Sequence, residues 1–233
     1  MKGLIAILGS GLSGRGAAIL AKKVGYRVFV SDSNKISKQT KLLFNELSID
    51  FEENQHSIDK IINADKIIKS PGIDNKSDLI VDLKKNGIDV ISEIEFGFLQ
   101  TDSKIIGVTG SNGKTTTATM IYYILKNSGF DVALAGNIGR SFSESIAEQN
   151  NQIYVLEISS FQLDNIIDFS PDISVITSIS PDHLDRYNYN FGEYISAKLK
   201  ITLNQSINQF LIFNSDNKEL KKAVKNYTLN VTQ

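Results

Sequence analysis

The stretch Gly107-Val108-Thr109-Gly110-Ser111-Asn112-Gly113-Lys114-Thr115-Thr116 restricts this chain more than any other. It follows an apolar run, residues 104–108, and precedes a helix-forming run from about residue 114 to residue 127. A strand, a glycine loop of the G-x-x-x-x-G-K-[ST] kind and a helix, in that order, form a cradle for nucleotide phosphates. Glycines let main-chain N–H groups turn toward phosphate oxygens, and the helix presents its positive end. This reading assigns Gly110, Ser111, Asn112, Gly113, Lys114, Thr115 and Thr116 to the phosphates of ATP or GTP. Lys114 would reach the β- and γ-phosphates, and Thr115 would ligate magnesium through its hydroxyl.

A second glycine turn opens the chain. Gly9-Ser10-Gly11-Leu12-Ser13-Gly14 spells G-x-G-x-x-G between the apolar run 4–8 and a helical run, 14–24. Asp32 ends the next strand-like run, about 20 residues on, where a dinucleotide site wants an acidic group. Three readings stay open on these residues: NAD, a UDP-sugar whose pyrophosphate would use the same helix end, and a tight turn without a ligand. Ser70-Pro71-Gly72 follows the run 66–69, at a strand end where open α/β sheets bind ligands. Pro-Gly is equally a plain turn pair.

Short apolar runs (4–8, 27–31, 66–69 and 89–91) alternate with amphipathic ones (14–24, 35–47 and 76–86). The pattern restarts at residue 104, with strand-like runs at 132–135, 153–158, 173–176 and 209–213. Helical runs cover 93–99, 191–203 and 218–225, and residues 227–233 read as the start of another strand. Such alternation predicts parallel sheets with helices on both faces. The expected fold is therefore α/β: a Rossmann-like domain over residues 1–92, then a P-loop ATPase domain over 93–233. So few strands follow the phosphate loop that the second domain reads as incomplete.

Hydrophobic residues at 41% and charged residues at 22% are ordinary for a soluble globular chain. A net charge of -1 gives no reason to expect nucleic acid or an anionic membrane as partner. No apolar run approaches the ~18 residues of a membrane span, so no membrane insertion is expected. The absence of cysteine excludes disulfides, thiolate nucleophiles and cysteine-held metals, and suits a cytoplasmic protein.

Two polar clusters follow strands of the second domain. In Glu157-Ile158-Ser159-Ser160-Phe161-Gln162-Leu163, a carboxylate at a strand end beside a phosphate loop is placed to ligate magnesium. Ser159 or Ser160 could equally cap a helix. In Pro181-Asp182-His183-Leu184-Asp185-Arg186-Tyr187, two aspartates and an arginine surround one of only two histidines. That company favours a functional role for His183. His56 lacks such a setting and reads as a surface residue. Lys198 and Lys200, on residue type alone, read as a solvated helix face.

GVTGSNGKTTT, Gly136-Asn137-Ile138-Gly139, EISSFQL, SPDHLDRY and Ala197-Lys198-Leu199 occur here in one order and spacing. As a set they resemble the Mur ligase family along the whole chain, and the SNGK loop and SSFQL favour its D-glutamate-adding member. The resemblance implies an ATP- and Mg²⁺-dependent amide ligase of peptidoglycan synthesis. Its substrates would be UDP-N-acetylmuramoyl-L-alanine and D-glutamate, and it would work as a monomer. The first glycine loop would then hold UDP rather than NAD, through Leu12 and Ser13. Ser33 and Asn34 would lie near the uracil, and Ser70 and Gly72 by the diphosphate. Asn137, Ser159 and His183 would contact the muramoyl-alanine end. Lys114, Thr115 and Glu157 would hold ATP phosphates and one magnesium; His183 and a carbamylated Lys198 would hold a second. Lys114, His183 and Lys198 are thus the expected catalytic group. Ser178 stands where the resemblance implies Asn, which would alter the bonding behind the site. The family's C-terminal, amino-acid-binding domain is expected to be absent from this chain. The competing expectations are an NAD-binding oxidoreductase built on the first loop and a non-catalytic nucleotide-binding module.

Overall fold

The computed structural model describes residues 2–225 and, as backbone, 230–232. The chain divides into two compact units: residues 1–100 with 141–149, and residues 101–140 with 150–233. Both are parallel α/β units, as the alternation of runs predicts.

In the first unit the strands are β1 (Leu4–Leu8), β2 (Arg27–Asp32), β3 (Asp50–Glu53), β4 (Lys66–Lys69) and β5 (Val90–Ser92). They lie in the order β3-β2-β1-β4-β5, all parallel. The chain builds outward from β1 on one side, then returns to add β4 on the other. That reversal makes the carboxyl ends of β1 and β4 the switch point where doubly wound sheets take ligands. Ala6, Leu8, Ile67 and Phe29 are buried against the helical residues Ile61, Ile80 and Leu83. Each such leucine, isoleucine or phenylalanine contributes about 1.5–3 kcal/mol by leaving water.

The helices of this unit are α1 (Leu12–Lys23), α2 (Lys38–Glu46), α3 (Ile58–Ile61), α4 (Asp78–Lys85) and α5 (Glu93–Phe98). The domain break expected at residue 93 instead falls after α5, which packs within the first unit, where Ile94 and Phe96 are buried.

The second unit holds β6 (Lys104–Thr109), α6 (Lys114–Asn127) and β7 (Val132–Gly136). The chain then forms α7 (Phe142–Glu148), which belongs to the first unit. Phe142 is fully buried beside Gly97, where an added Cβ would lie 2.6 Å from the ring. Arg15 on α1 pairs with Glu144 at 2.9 Å. Glu93 accepts the Ser143 N–H, and burial pushes its carboxyl up to about 7 against that bond.

The second unit resumes with β8 (Ile153–Glu157), α8 (Ser160–Leu163), β9 (Ile173–Ile176), α9 (Phe191–Leu199), β10 (Phe210–Phe213), α10 (Lys218–Ala223) and β11 (Asn230–Thr232). Its sheet runs β11-β10-β9-β6-β8-β7, again all parallel. β6 is central, so the glycine loop that follows it leaves the middle of the sheet between β8 and β9. Val108, Val155 and Val175 pack there against Ala118 of α6. Of the terminal strand read over 227–233, β11 covers 230–232; residues 227–229 and 233 lie outside the described residues. No described helix is long and apolar enough to cross a membrane.

Candidate functional site

The loop after β6 departs from the G-x-x-x-x-G-K spacing. Gly107 and Gly113 are one residue too far apart, and Gly107 and Val108 are paired strand residues. The turning glycines are Gly110 (φ 144°) and Gly113 (φ 82°). At Gly110 an added Cβ would fall 2.1 Å from Thr177 Oγ1, so no side chain fits. The loop is pinned from the segment after β9. Ser111 N–H donates to Ser178 O at 2.8 Å, Asn112 N–H to Ser178 Oγ at 3.1 Å, and Thr177 Oγ1 to Asn112 O at 2.6 Å. Ser178, where the resemblance implies Asn, therefore still ties down the loop. Ser111 Oγ donates to Ser180 O at 2.9 Å and meets Tyr194 Oη at 3.0 Å.

α6 starts directly behind this loop with no side-chain cap and no acidic residue in its first turn. Its leading N–H groups are thus of the kind an anion can take. Two ammonium groups converge on one acceptor: Lys114 Nζ donates to Gly110 O at 2.9 Å and Lys198 Nζ to the same oxygen at 2.8 Å. Lys198 is not the solvated residue that its type suggests but is 2% exposed, with its ammonium 4.6 Å from the centre of the Tyr194 ring. Burial, and next the charge of Lys114, push Lys198 down to about 7, against an opposing pull from Asp182.

Beside the loop, Thr115 Oγ1 donates to Glu157 Oε2 at 2.7 Å and Asn137 Nδ2 to Glu157 Oε1 at 2.9 Å. The Gly136–Gly139 turn delivers Asn137, whose own N–H is bonded to Glu157 O at 2.8 Å. A hydroxyl and a carboxylate in contact are hard oxygen donors that fit one Mg²⁺ completed by phosphate and water. Among the described residues no group of three or more His, Asp or Glu could hold a metal. Ser159 caps α8 in a reciprocal box with Gln162. His183 is exposed, in a left-handed backbone (φ 48°), 3.6 Å from Asp182 Oδ2 and against the Phe161 ring. Hydrogen bonds join it to none of Thr115, Glu157 or Lys198.

In the first unit the glycine loop joins β1 to α1. An added Cβ on Gly14 would fall 1.8 Å from Gly9 O, so the helix can start this close only with glycine. Asp32 fastens the loop: its Oδ2 accepts Ser10 N–H at 2.7 Å and Ser10 Oγ at 2.6 Å, while Oδ1 accepts Asn34 N–H at 2.8 Å. Burial of Asp32 opposes its charge, but these bonds outweigh burial and hold the carboxyl below its usual range. α1 also lacks a capping side chain, with Leu12 and Ser13 in its first turn. Ser33 and Asn34 are exposed at the end of β2. Ser70 follows β4, and its hydroxyl lies 2.7 Å from where a Cβ of Gly9 would be. Gly72 is exposed in the same turn. His56 is not a free surface residue, because its Nδ1 lies 2.7 Å from Ser31 Oγ.

The family model "Mur ligase middle domain" matches residues 108–233, more than half the chain. This chain belongs to the Mur ligase family. The "MurD N-terminal domain" model matches residues 4–79. A UDP-N-acetylmuramoylalanine--D-glutamate ligase from Bacteroides fragilis is 48% identical over 220 residues, covering 94% of this chain and 50% of that protein. A ligase of the same name from Christiangramia forsetii is 46% identical over 216 residues, covering 93% and 48%. The chain thus spans about half the length of the curated relatives it matches. Among solved Mur ligases, the UDP-N-acetylmuramate:L-alanyl-gamma-D-glutamyl-meso-diaminopimelate ligase of Neisseria meningitides shares the fold, with a TM-score of 0.69. The match covers 99% of this chain and 77% of that one at 19% identity.

Proposed function

We propose that this chain carries the UDP-substrate and ATP sites of a ligase that joins D-glutamate to UDP-N-acetylmuramoyl-L-alanine in peptidoglycan synthesis. The observation that carries the reading is the convergence of Lys114 and Lys198 on Gly110 O at the mouth of the phosphate loop. Two lysine side chains meeting on one carbonyl, at the start of a helix with no capping side chain, favour an anion, and a triphosphate beside the Thr115–Glu157 pair supplies it. Relatives carrying that ligase name support the choice of substrates.

In this reading Lys114 and the first turn of α6 hold the β- and γ-phosphates of ATP. The substrate's alanyl carboxylate attacks the γ-phosphorus, ADP leaves, and an acyl phosphate results. The amine of D-glutamate then adds to the acyl carbon; phosphate departs and the nitrogen loses a proton. The chain's contribution is alignment and charge neutralisation, which are strong levers in a site that excludes water. Magnesium, when bound, would neutralise phosphate oxygens, with Thr115 and Glu157 holding one ion and His183 and a carbamylated Lys198 a second. A carbamate forms on a free amine, the form that burial of Lys198 favours. Asn137, Ser159 and His183 receive the muramoyl-alanine end. Leu12, Ser13, Ser33, Asn34, Ser70 and Gly72 receive UDP. A cytoplasmic monomer is the setting we assign.

The test is ADP formation from ATP and Mg²⁺ with UDP-N-acetylmuramoyl-L-alanine, compared with the same sugar nucleotide lacking alanine. ADP that forms only with the alanyl substrate is expected. Equal ADP formation with both sugar nucleotides would overturn the reading.

A further inference from the structure

Ser31 of β2 is fully buried, and its hydroxyl stands between two polar side chains. Glu52 Oε1 lies 2.7 Å away and His56 Nδ1 lies 2.7 Å away. A serine hydroxyl has one proton to give. Glu52 decides where it goes, because its oxygens also accept Ser57 N–H at 2.6 Å, the Ser57 hydroxyl at 2.5 Å and the Gln55 amide at 3.3 Å. Burial opposes the Glu52 charge, but these donors outweigh it and hold the carboxyl below its usual value.

An ionised carboxylate only accepts, so the Ser31 proton goes to Glu52 in preference to the more distant Gln55 O at 3.3 Å. The Ser31 oxygen then accepts on its other side, and the hydrogen shared with the ring belongs to His56 Nδ1. A neutral His56 so fixed carries its lone pair on Nε2. Nε2 takes part in no hydrogen bond among the described residues.

The chain on either side places this ring. Asn54 N–H donates to Asn34 O and Gln55 N–H to Asp32 O, each at 3.3 Å, lacing the segment before His56 to the turn after β2. In doubly wound sheets the nucleoside half of a bound nucleotide lies at this strand end, next to the glycine loop.

We propose that His56 is a specificity-determining residue for the nucleobase, its Nε2 accepting the N3–H of a uracil. The inference rests on the uridine-nucleotide reading above. Uracil N3 carries a hydrogen, whereas cytosine N3 carries a lone pair that would face another lone pair. The site therefore rejects cytidine nucleotides through an unpaired acceptor, the kind of discrimination that buried polar groups perform well.

Two measurements on the whole chain test this. Long-range ¹H–¹⁵N spectra of the ligand-free protein, with His56 and His183 told apart by a His183→Asn variant, are expected to show His56 as the Nδ1–H tautomer. An Nε2–H tautomer would overturn the proposal without any change at the site. Calorimetric titration with UDP and with CDP is expected to give at least a tenfold preference for UDP in the wild type, lost in His56→Phe. A variant that keeps the full preference overturns the role of His56. Wild-type protein that binds neither UDP nor CDP overturns the uridine reading itself.

Discussion

Lys114 and Lys198 donate to the same acceptor, the Gly110 carbonyl, at 2.9 and 2.8 Å. The charge of Lys114, after burial, disfavours the charged form of Lys198, a cost that a bound triphosphate would relieve. Lys114→Met should therefore leave the ligand-free melting temperature unchanged or raise it slightly. The stabilisation by ATP and Mg²⁺ should fall by the equivalent of at least tenfold in affinity, roughly 1.4 kcal/mol. Thermal unfolding with and without nucleotide reads both effects; a variant that still responds to ATP like wild type would remove Lys114 from the phosphate site.

Thr115→Val separates metal from phosphate. The substitution keeps the shape of the side chain and removes the hydroxyl that touches Glu157 Oε2. ATP affinity in Mg²⁺ should drop about tenfold, while affinity in EDTA stays close to wild type. Equal losses in both conditions would assign Thr115 to packing alone.

Glu93 gives a stability signature in pH. Burial pushes its carboxyl from the ordinary 4.5 up to about 7, so the folded state holds this proton more tightly than the unfolded chain. The contribution is fully present below pH 4.5 and is lost as pH rises through 7, about 3 kcal/mol in all. Glu93→Gln keeps an oxygen for the Ser143 N–H and should flatten this slope, making the variant more stable than wild type at pH 8. Denaturant midpoints at pH 5 and pH 8 measure it. An unchanged slope would show that Glu93 does not titrate in this window.

Asp32→Asn tests the clasp on the first glycine loop. It removes the charge to which Ser10 and Asn34 donate. Charge-assisted bonds of this kind are worth about 1.5–3 kcal/mol, and the variant should lose a comparable amount in chemical denaturation. Binding of UDP-N-acetylmuramoyl-L-alanine should weaken in parallel. Loss of stability without loss of binding would limit Asp32 to the fold.

Both parallel units were legible in the sequence because glycine loops after apolar strands are local signals. The strand β3 was not: Asp50-Phe51-Glu52-Glu53 is mostly charged, and it forms because an edge strand tolerates polar side chains that bond to Ser57 and Lys41. Helix α7 is illegible for a related reason, since it packs on α1 and α5, with Phe142 beside Gly97, rather than near its own stretch of chain. In the candidate site, Thr115 is legible from the glycine loop and Glu157 from its place at a strand end, and a hydrogen bond joins the two. The burial of Lys198 was not readable from its residue type, because the Gly110 carbonyl that meets it lies 88 residues away in sequence. The setting of His56 is not legible locally, because the β2–β3 register places Ser31 opposite Glu52 and the loop after β3 carries His56 back to that hydroxyl.

On the function proposed above, the first glycine loop serves a UDP-sugar and the Gly110–Gly113 loop serves ATP. The direct measurement is the melting temperature of this chain with UDP-N-acetylmuramoyl-L-alanine, and separately with NAD at the same concentration, since a ligand of the native state must raise it by mass action. A rise with the UDP-sugar and none with NAD is expected. A rise with NAD alone would contradict it and return the first loop to a dinucleotide.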